Sequence, residues 1–298
     1  MRKFGDDSAR LGGSARIVDR QNGARGGEVG MVERSGGGPA GRTLALLWRN
    51  RRERTAEDVP PRLGRKPTLD LDAVVTAAIA LADAQGLAAA SMNGVAKALG
   101  VGTMTLYTYV PSKDELLDLM VDQVLGEREL PGPGEPRPAD WRDQIELYSE
   151  QTRAMFRRHP WLARISTIRP PVGPGMLASR EYLLSACAVL GLPARQTNTA
   201  ALAITTYVDS AAGLEAESEQ VERTTGQSND AWWHERNDLW ETYFDVERHP
   251  TMTAIWNANG YGDGTREAAD ESYRFGLDRL LDGIEALTAR TALPPRPG

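Results

Sequence analysis

The stretch that decides the fold is residues 91–110, which read SMNGVAKALGVGTMTLYTYV. Ser91 can cap a short helix, and Gly100 closes that helix after about two turns because glycine readily adopts left-handed backbone. A further short helix spans residues 101–110 and stops there, since the residue before Pro111 avoids helical backbone. Two short helices joined by a glycine turn predict a helix-turn-helix.

Small and apolar residues in this stretch are spaced as that motif requires. Val101 fills the angle between the two helices, and Ala96 is small where the second helix passes close to the first. On the second helix, Leu106 and Val110 face inward. The outward positions then carry hydroxyl groups, on Thr103, Thr105, Tyr107, Thr108 and Tyr109.

This outward surface has the chemistry of a DNA-reading helix. Threonine hydroxyl and methyl groups suit base edges and thymine methyl groups, whereas tyrosine hydroxyls and helix N-termini suit phosphates. A helix of this kind fits the major groove of DNA. Judged by the pattern alone, an ordinary helical hairpin inside a bundle is the alternative interpretation.

Helical periodicity continues on both sides of the motif. Apolar residues recur at helical spacing from Leu71, and Gly86 ends that helix. Residues 112–115, which read SKDE, form a capping box that opens another helix. Its inward residues are Leu116, Leu117, Met120, Val121 and Val124. We therefore predict a DNA-binding domain of three or four helices over residues 67–127.

The rest of the chain is predicted to be helical as well. Residues 131–138 are rich in proline and glycine and indicate a linker or long loop. Beyond it we find no strand pattern and no internal repeat. Helices are expected over 141–158, up to 191, and over 196–222, 230–247 and 265–289. The predicted fold class is all-α, with a second helical domain over residues 139–290.

Composition narrows the class of protein. The chain has 298 residues, of which 41% are hydrophobic and 26% charged, as expected for a soluble two-domain protein. No run approaches the roughly 18 apolar residues of a membrane-spanning helix, so a cytoplasmic protein without a membrane partner is expected. A single cysteine, Cys187, and three histidines leave little for a disulfide or a metal centre. We expect no metal and no cofactor.

Charge is concentrated at the N-terminus. Residues 1–66 hold fifteen Lys and Arg against eight Asp and Glu, a net charge of +7 in a chain of −6 overall. The first 43 of these residues are rich in Gly, Arg and Ser without any helical or strand period, so residues 1–66 are expected to form a disordered basic extension. A basic arm on an acidic body suggests contact with a polyanion, and a solvated tail is the alternative.

Three short motifs make the chain similar to the TetR family of transcriptional regulators. Residues 95–101 read VAKALGV, residues 106–110 read LYTYV and residues 113–117 read KDELL. The resemblance is nearly continuous from residue 74 to residue 119. It implies a homodimer with an N-terminal DNA-binding domain and a larger helical domain that dimerises and binds a small effector.

The resemblance also implies roles for individual residues. Bases would be contacted by Thr103, Thr105 and Thr108, and phosphates by Tyr107, Tyr109 and Lys113. Ser91 and Asn93 open the supporting helix, and Arg65 with Lys66 stands where relatives carry a basic arm that reaches along the duplex. The recognition helix has no Arg or Lys before Lys113, so a bidentate guanine contact is not expected.

A weaker resemblance, to the tetracycline-repressor branch, covers the C-terminal domain. Residues 274–285, which read RFGLDRLLDGIE, are similar to the last helix of that branch, which packs across the dimer axis. The histidine that helps those repressors to hold drug-bound magnesium would fall near Ile165, so magnesium-tetracycline is not expected. A hydrophobic or aromatic effector is expected instead.

Aromatic residues of the middle helices are the candidates for the effector pocket, although most such residues are simply core. The candidates are Phe156, Trp161, Tyr182, Tyr207, Trp232, Trp240 and Tyr243, with His159, Asp209 or Asn237 orienting the ligand. The predicted function is thus a ligand-responsive regulator, in the family's usual mode a repressor, which binds a palindromic operator and is released by its effector. The alternatives are a helical protein-interaction module or an enzyme, and Cys187 in an apolar helix gives little support to an enzyme.

Overall fold

The computed structural model of the chain describes residues 33–51, 69–261 and 264–291. Within those ranges the chain is helical apart from one parallel pair of two-residue strands, which confirms the all-α prediction. Strands β1 (Glu33–Arg34) and β2 (Ile165–Ser166) form that pair. The prediction that the chain contains no strand is therefore wrong for this pair. Two residues are too few to show the alternating pattern of a strand.

The first helical unit has the four helices that the sequence predicts. They are α2 (Leu71–Gln85), α3 (Met92–Ala98), α4 (Thr103–Tyr109) and α5 (Lys113–Leu125). Side chains cap three of them, since the backbone amides of Ala73, Gly94 and Glu115 donate to Asp70, Ser91 and Ser112 respectively. Gly86 and Gly100 end α2 and α3 with positive φ angles of 85° and 68°.

The N-terminal segment 33–51, which we call the strap, is ordered, so the expectation of a disordered extension over residues 1–66 is wrong for these residues; the rest of that range lies outside the described residues. It contains β1 and helix α1 (Ala40–Leu47) and buries Ser35, Thr43 and Leu47. The glycine-rich composition that suggested disorder instead lets the backbone pass close to its neighbours. Arg65 and Lys66 lie outside the described residues.

Helix α5 is buried along most of its length because α1, α2 and α7 (Pro174–Ala188) pack around it. Its buried residues include three carboxylates: Glu115, Asp118 and Asp122. Asp122 accepts hydrogen bonds from the backbone amides of Met176 at 3.0 Å and Gly175 at 3.2 Å, so it stabilises the start of α7. Burial raises the pKa of both Asp118 and Asp122.

The second helical unit packs α6 (Trp141–Arg158), α7, α8 (Ala194–Thr225) and α11 (Thr265–Thr291) around its own core. The bounds of α6 are those that the sequence predicts. A short turn of 3-10 helix, Pro160–Arg164, follows α6 and lies against α8. No helix among the described residues is long and apolar enough to cross a membrane.

The predicted helix over residues 230–247 is replaced by two short elements, α9 (Asn229–His234) and a π-helical turn (Leu239–Tyr243). A further short helix, α10 (Pro250–Asn257), follows them. None of these elements buries a residue, so no tertiary packing holds a longer helix together. The segment exposes large apolar side chains, among them Trp233, Tyr243 and Trp256.

Candidate nucleic-acid interface and ligand cavity

Helices α3 and α4 meet at a tight turn that fixes which face of α4 is exposed. The backbone amide of Val101 donates to the carbonyl oxygen of Ala96 at 3.0 Å, closing the end of α3. Leu106 and Val110 are completely buried beneath α4, as predicted. The opposite face therefore points outward.

The predicted DNA-contacting residues of α4 lie on or beside that outward face. Thr105, Tyr107 and Thr108 are exposed, whereas Thr103 and Tyr109 are half-buried. Tyr109 also packs against the core of the unit, so only part of its ring reaches the surface. These five side chains thus form one surface on a short helix that stands at the edge of the unit.

The supporting helix α3 is fastened to α4 by a side-chain hydrogen bond. The Thr103 hydroxyl donates to the Asn93 amide oxygen at 3.2 Å, which links the two helices directly. Ser91 caps α3, since its hydroxyl oxygen accepts from the Gly94 amide at 3.1 Å. Asn93 therefore helps to orient the recognition helix, whereas Ser91 stabilises the start of the supporting helix.

Two further residues of this surface were not identified from the sequence. Met104 is 79% exposed on α4, although an apolar residue there suggests burial. Lys97 is exposed on α3 and adds a positive charge near the turn. Met104 could have been found from the helical spacing, because it does not share a face with Leu106 and Val110.

Lys113 at the start of α5 is already paired in the described structure. Its ammonium group forms an ion pair with the carboxylate of Glu33 in the strap, and the two side chains are 42% and 35% exposed. The partners are 80 residues apart in sequence, so local patterns could not reveal the contact.

A cavity of about 810 Å³ lies among α6, α7, α8 and the segment that follows α6. Its walls are largely apolar, and they include Leu125, Phe156, Leu162, Ile165, Met176 and Leu183. A cavity of this size matches the range that binds small organic molecules in proteins.

A polar cluster of three residues interrupts the apolar wall. Arg128, which is 8% exposed, donates to the Tyr148 hydroxyl at 3.0 Å, and Tyr148 donates to the Asp209 carboxylate at 3.4 Å. Burial and the Asp209 charge raise the pKa of Tyr148 to about 12. Burial also raises the pKa of Asp209, although Arg128 acts in the opposite direction.

Most of the predicted pocket residues lie elsewhere. Of the seven aromatic candidates, Phe156 lines this cavity, and so does Asp209 among the polar ones. Tyr182 is in the core of the second unit with its hydroxyl on the Gln144 carbonyl oxygen, and Tyr207 stacks on Tyr273 at a second, more charged cavity. Trp232, Trp240, Tyr243 and Asn237 are exposed on residues 229–261. Ring size indicates burial and not cavity lining, so the aromatic pattern does not select the residues of this cavity. Which residues bind an effector stays a prediction.

Trp161 and His159 contact the first helical unit instead of the cavity. The Trp161 indole donates to the Asp83 carboxylate of α2 at 2.7 Å. The two ring nitrogens of His159 lie 2.8 Å from carboxylate oxygens of Asp83 and Glu127. The turn after α6 therefore joins α2 on one side, while Leu162 lines the cavity on the other.

Two observations bear on metal and thiol chemistry. Among the described residues, no group of three or more His, Cys, Asp and Glu side chains is placed to hold a metal ion. Cys187 is buried, and burial raises its pKa to about 11, so the thiol is protonated at neutral pH.

Comparison with protein families gives two matches that together span both helical units. Residues 74–120 match the family described as "Bacterial regulatory proteins, tetR family". Residues 133–288 match "Tetracyclin repressor-like, C-terminal domain".

Two proteins of similar sequence are named as transcriptional regulators. The chain is 38% identical over 264 residues to the HTH-type transcriptional repressor DrrR1 of Streptomyces coeruleorubidus, covering 89% of this chain and 92% of the relative. It is 36% identical over 143 residues to an HTH-type transcriptional regulator of Saccharopolyspora erythraea, covering 48% of this chain and 59% of the relative.

Solved structures of ActR from Streptomyces coelicolor share the fold. The apo form superimposes with a TM-score of 0.62 at 27% identity, covering 77% of this chain and all of ActR. The complex of ActR with actinorhodin gives a TM-score of 0.61 at 27% identity, covering 74% of this chain and 97% of ActR.

Proposed function

This chain belongs to the tetR family of bacterial regulatory proteins, and we propose that it is a repressor that leaves DNA when a small molecule fills its cavity. In this proposal a homodimer places two copies of α4 in successive major grooves of a palindromic operator. The grooves are one helical turn apart, roughly 34–36 Å, so the distance between the two α4 helices controls binding.

The proposal depends on one observation, that α4 has a buried apolar face and an exposed face that carries hydroxyl groups. Leu106 and Val110 are buried while Thr105, Tyr107 and Thr108 face outward, so the exposed groups are hydroxyls and methyls at the edge of the unit. These groups match base edges, thymine methyls and phosphates. The likeness to the repressor DrrR1 supports repression as the mode of regulation.

Exposed apolar surface on the second unit supports the homodimer. Leu214 on α8 is 69% exposed and Phe275 on α11 is 62% exposed, and residues 229–261 add several exposed aromatic rings. Large exposed apolar patches of this kind mark protein interfaces. We propose that α8, α11 and residues 229–261 pack against a second copy of the chain.

The cavity supports an effector that is mostly apolar and carries a polar edge. Arg128 offers hydrogen-bond donors and Asp209 offers acceptors in one cluster, and their opposite charges favour a neutral ligand that both donates and accepts. Ile165 adds apolar surface to the cavity wall, which suits the mostly apolar part of such a ligand. Actinorhodin, bound in an ActR structure, serves as a first probe.

The turn after α6 offers a route from the cavity to α2. A ligand that displaces Leu162 moves the same turn that carries Trp161, whose indole is bonded to Asp83. Release then needs only a difference in ligand affinity between the two arrangements. A hundredfold weakening of DNA binding corresponds to about 2.7 kcal/mol, within the range of one buried ligand.

The proposal is tested with gel-shift titrations on duplexes from the DNA that flanks the gene. We expect the wild-type dimer to bind one such duplex and the double variant Thr105→Ala/Tyr107→Phe to lose most of that affinity. Glu146→Gln, at an exposed position on α6 outside both the DNA surface and the proposed dimer interface, is the control. Failure of the wild type to bind any flanking duplex, or a strictly monomeric chain in solution, contradicts the proposal.

A further inference from the structure

The strap, residues 33–51, contacts each part of the molecule that the proposed function must couple. Glu33 pairs with Lys113, the residue proposed to contact a DNA phosphate. The same short strand, β1, pairs with β2 in the segment that forms part of the cavity wall. Residues 33–35 thus connect the Glu33 carboxylate, which pairs with Lys113, to the segment that forms part of the cavity wall.

The cavity end of the strap is held by backbone and side-chain hydrogen bonds. The Ser35 amide donates to the Ser166 carbonyl oxygen at 3.2 Å, and the Ser35 hydroxyl donates to the Arg169 carbonyl oxygen at 2.8 Å. Ile165, next in the chain to Ser166, lines the cavity. Movement of this wall therefore pulls on the backbone beside Glu33.

The helix end of the strap is fastened to α5 and α2. The Gly36 amide donates to Asp118 at 2.6 Å, and Arg42 forms an ion pair with the buried Glu115. Arg49 donates to Asp72 of α2 at 2.9 Å. These contacts fix the strap to the helical unit that carries α4.

Glycine makes the close approach possible at one position in particular. Gly36 has a φ of +75°, and a Cβ atom added there would lie 2.8 Å from the Arg169 carbonyl oxygen. Any side chain at this position would be strained and would push the strap away from the cavity wall. The contact therefore depends on a specific residue of the strap.

We propose that Glu33 competes with an operator phosphate for Lys113, and that the strap links this competition to the wall of the effector cavity. The inference rests on the proposed function. An ion pair whose side chains are 42% and 35% exposed is weak, so a phosphate can displace it. Because coupling between sites is reciprocal, a ligand that repositions the cavity wall also changes how firmly Glu33 holds Lys113.

The first test is a double-mutant cycle on operator affinity. Glu33→Gln should tighten binding about two- to fivefold, because Lys113 then does not have to break an ion pair before it contacts the phosphate. Lys113→Met should weaken binding and make the salt dependence shallower by about one released ion. In the Lys113→Met background the gain from Glu33→Gln should shrink, since only the repulsion between Glu33 and phosphate is then removed.

Glu146→Gln is the control for the change in net charge, because Glu146 is exposed on α6 away from the strap. It should leave operator affinity unchanged. The inference is overturned if Glu33→Gln binds like the wild type, or if its gain is equal in both Lys113 backgrounds. If the wild type binds no flanking duplex at all, the proposed function fails first.

The second test measures amide hydrogen exchange with and without the operator duplex. Release of Glu33 should loosen the strap, so peptides covering residues 33–38 and 163–170 should exchange faster in the DNA complex. DNA binding otherwise slows exchange, so this sign distinguishes release from general protection. Unchanged or slower exchange in both peptides contradicts the link to the cavity wall.

Discussion

The neighbouring helices α4 and α5 use their surfaces in opposite ways. Leu106 is the buried residue of α4, whereas α5 buries nine of its thirteen residues, three of them carboxylates. The exposed helix therefore offers a polar surface to a partner, and the buried helix joins the strap, α2 and α7. In the proposed function DNA is read by α4 and the effector signal passes through the neighbouring α5, so we expect that substitutions can affect one role without the other.

The largest effect is expected at the one deep anchor of α4. Leu106→Ala should lower the free energy of unfolding by about 2–5 kcal/mol, because it removes a fully buried side chain and leaves a cavity. Thr105→Ala on the same helix should change it by less than about 0.5 kcal/mol. Urea unfolding of both variants checks the contrast, and equal stabilities would show that α4 is not anchored in this way.

A smaller loss is expected where the strap holds α5. Arg42→Met should destabilise the protein by about 1–2 kcal/mol, because it leaves the buried Glu115 carboxylate without its cation while Arg42 itself is half exposed. Urea unfolding measures this effect. Glu146→Gln, which neutralises an exposed carboxylate on α6, should change stability much less.

The next effect concerns DNA and not stability. Thr105→Ala should weaken operator binding by about 1–2 kcal/mol, roughly 5- to 30-fold, because one base contact is lost. Titration of labelled operator gives the affinity, and thermal unfolding shows that the fold is intact. An affinity equal to that of the wild type would remove Thr105 from the reading surface.

The smallest effect is expected at Asp118, and it depends on pH. Burial raises the pKa of Asp118 in the folded state, so the folded protein holds this proton more tightly than the unfolded chain. Its contribution to stability therefore falls as pH rises from about 4, the ordinary range of a carboxyl group, through its raised pKa.

Asp118→Asn removes this charge and should raise the melting temperature slightly at neutral pH, with the gain vanishing in acid. Melting curves from pH 4 to pH 8 test the trend. Glu146→Gln serves again as the exposed control. A gain that stays constant with pH would mean that the charge of Asp118 is not its cause.

The same comparison explains how much the sequence could predict. The bounds of the turn, its caps and the buried positions Leu106 and Val110 follow from local spacing, so residues 91–110 were predicted correctly. The partners of Lys113 and Tyr148 lie 80 and 61 residues away, and no local pattern encodes such contacts. The contact of Trp161 with Asp83 was likewise not predicted, because periodicity shows that a residue is buried but not which neighbour it meets.

Whether the outward side of α4 reads bases is decided by the ratio of affinities for the operator and for a scrambled duplex of equal length, measured for wild type and Thr105→Ala/Thr108→Ala. We expect the double variant to lower this ratio by roughly 30-fold or more, while binding to the scrambled duplex and the melting temperature stay unchanged. If the ratio is the same for both proteins, the outward side of α4 does not read bases.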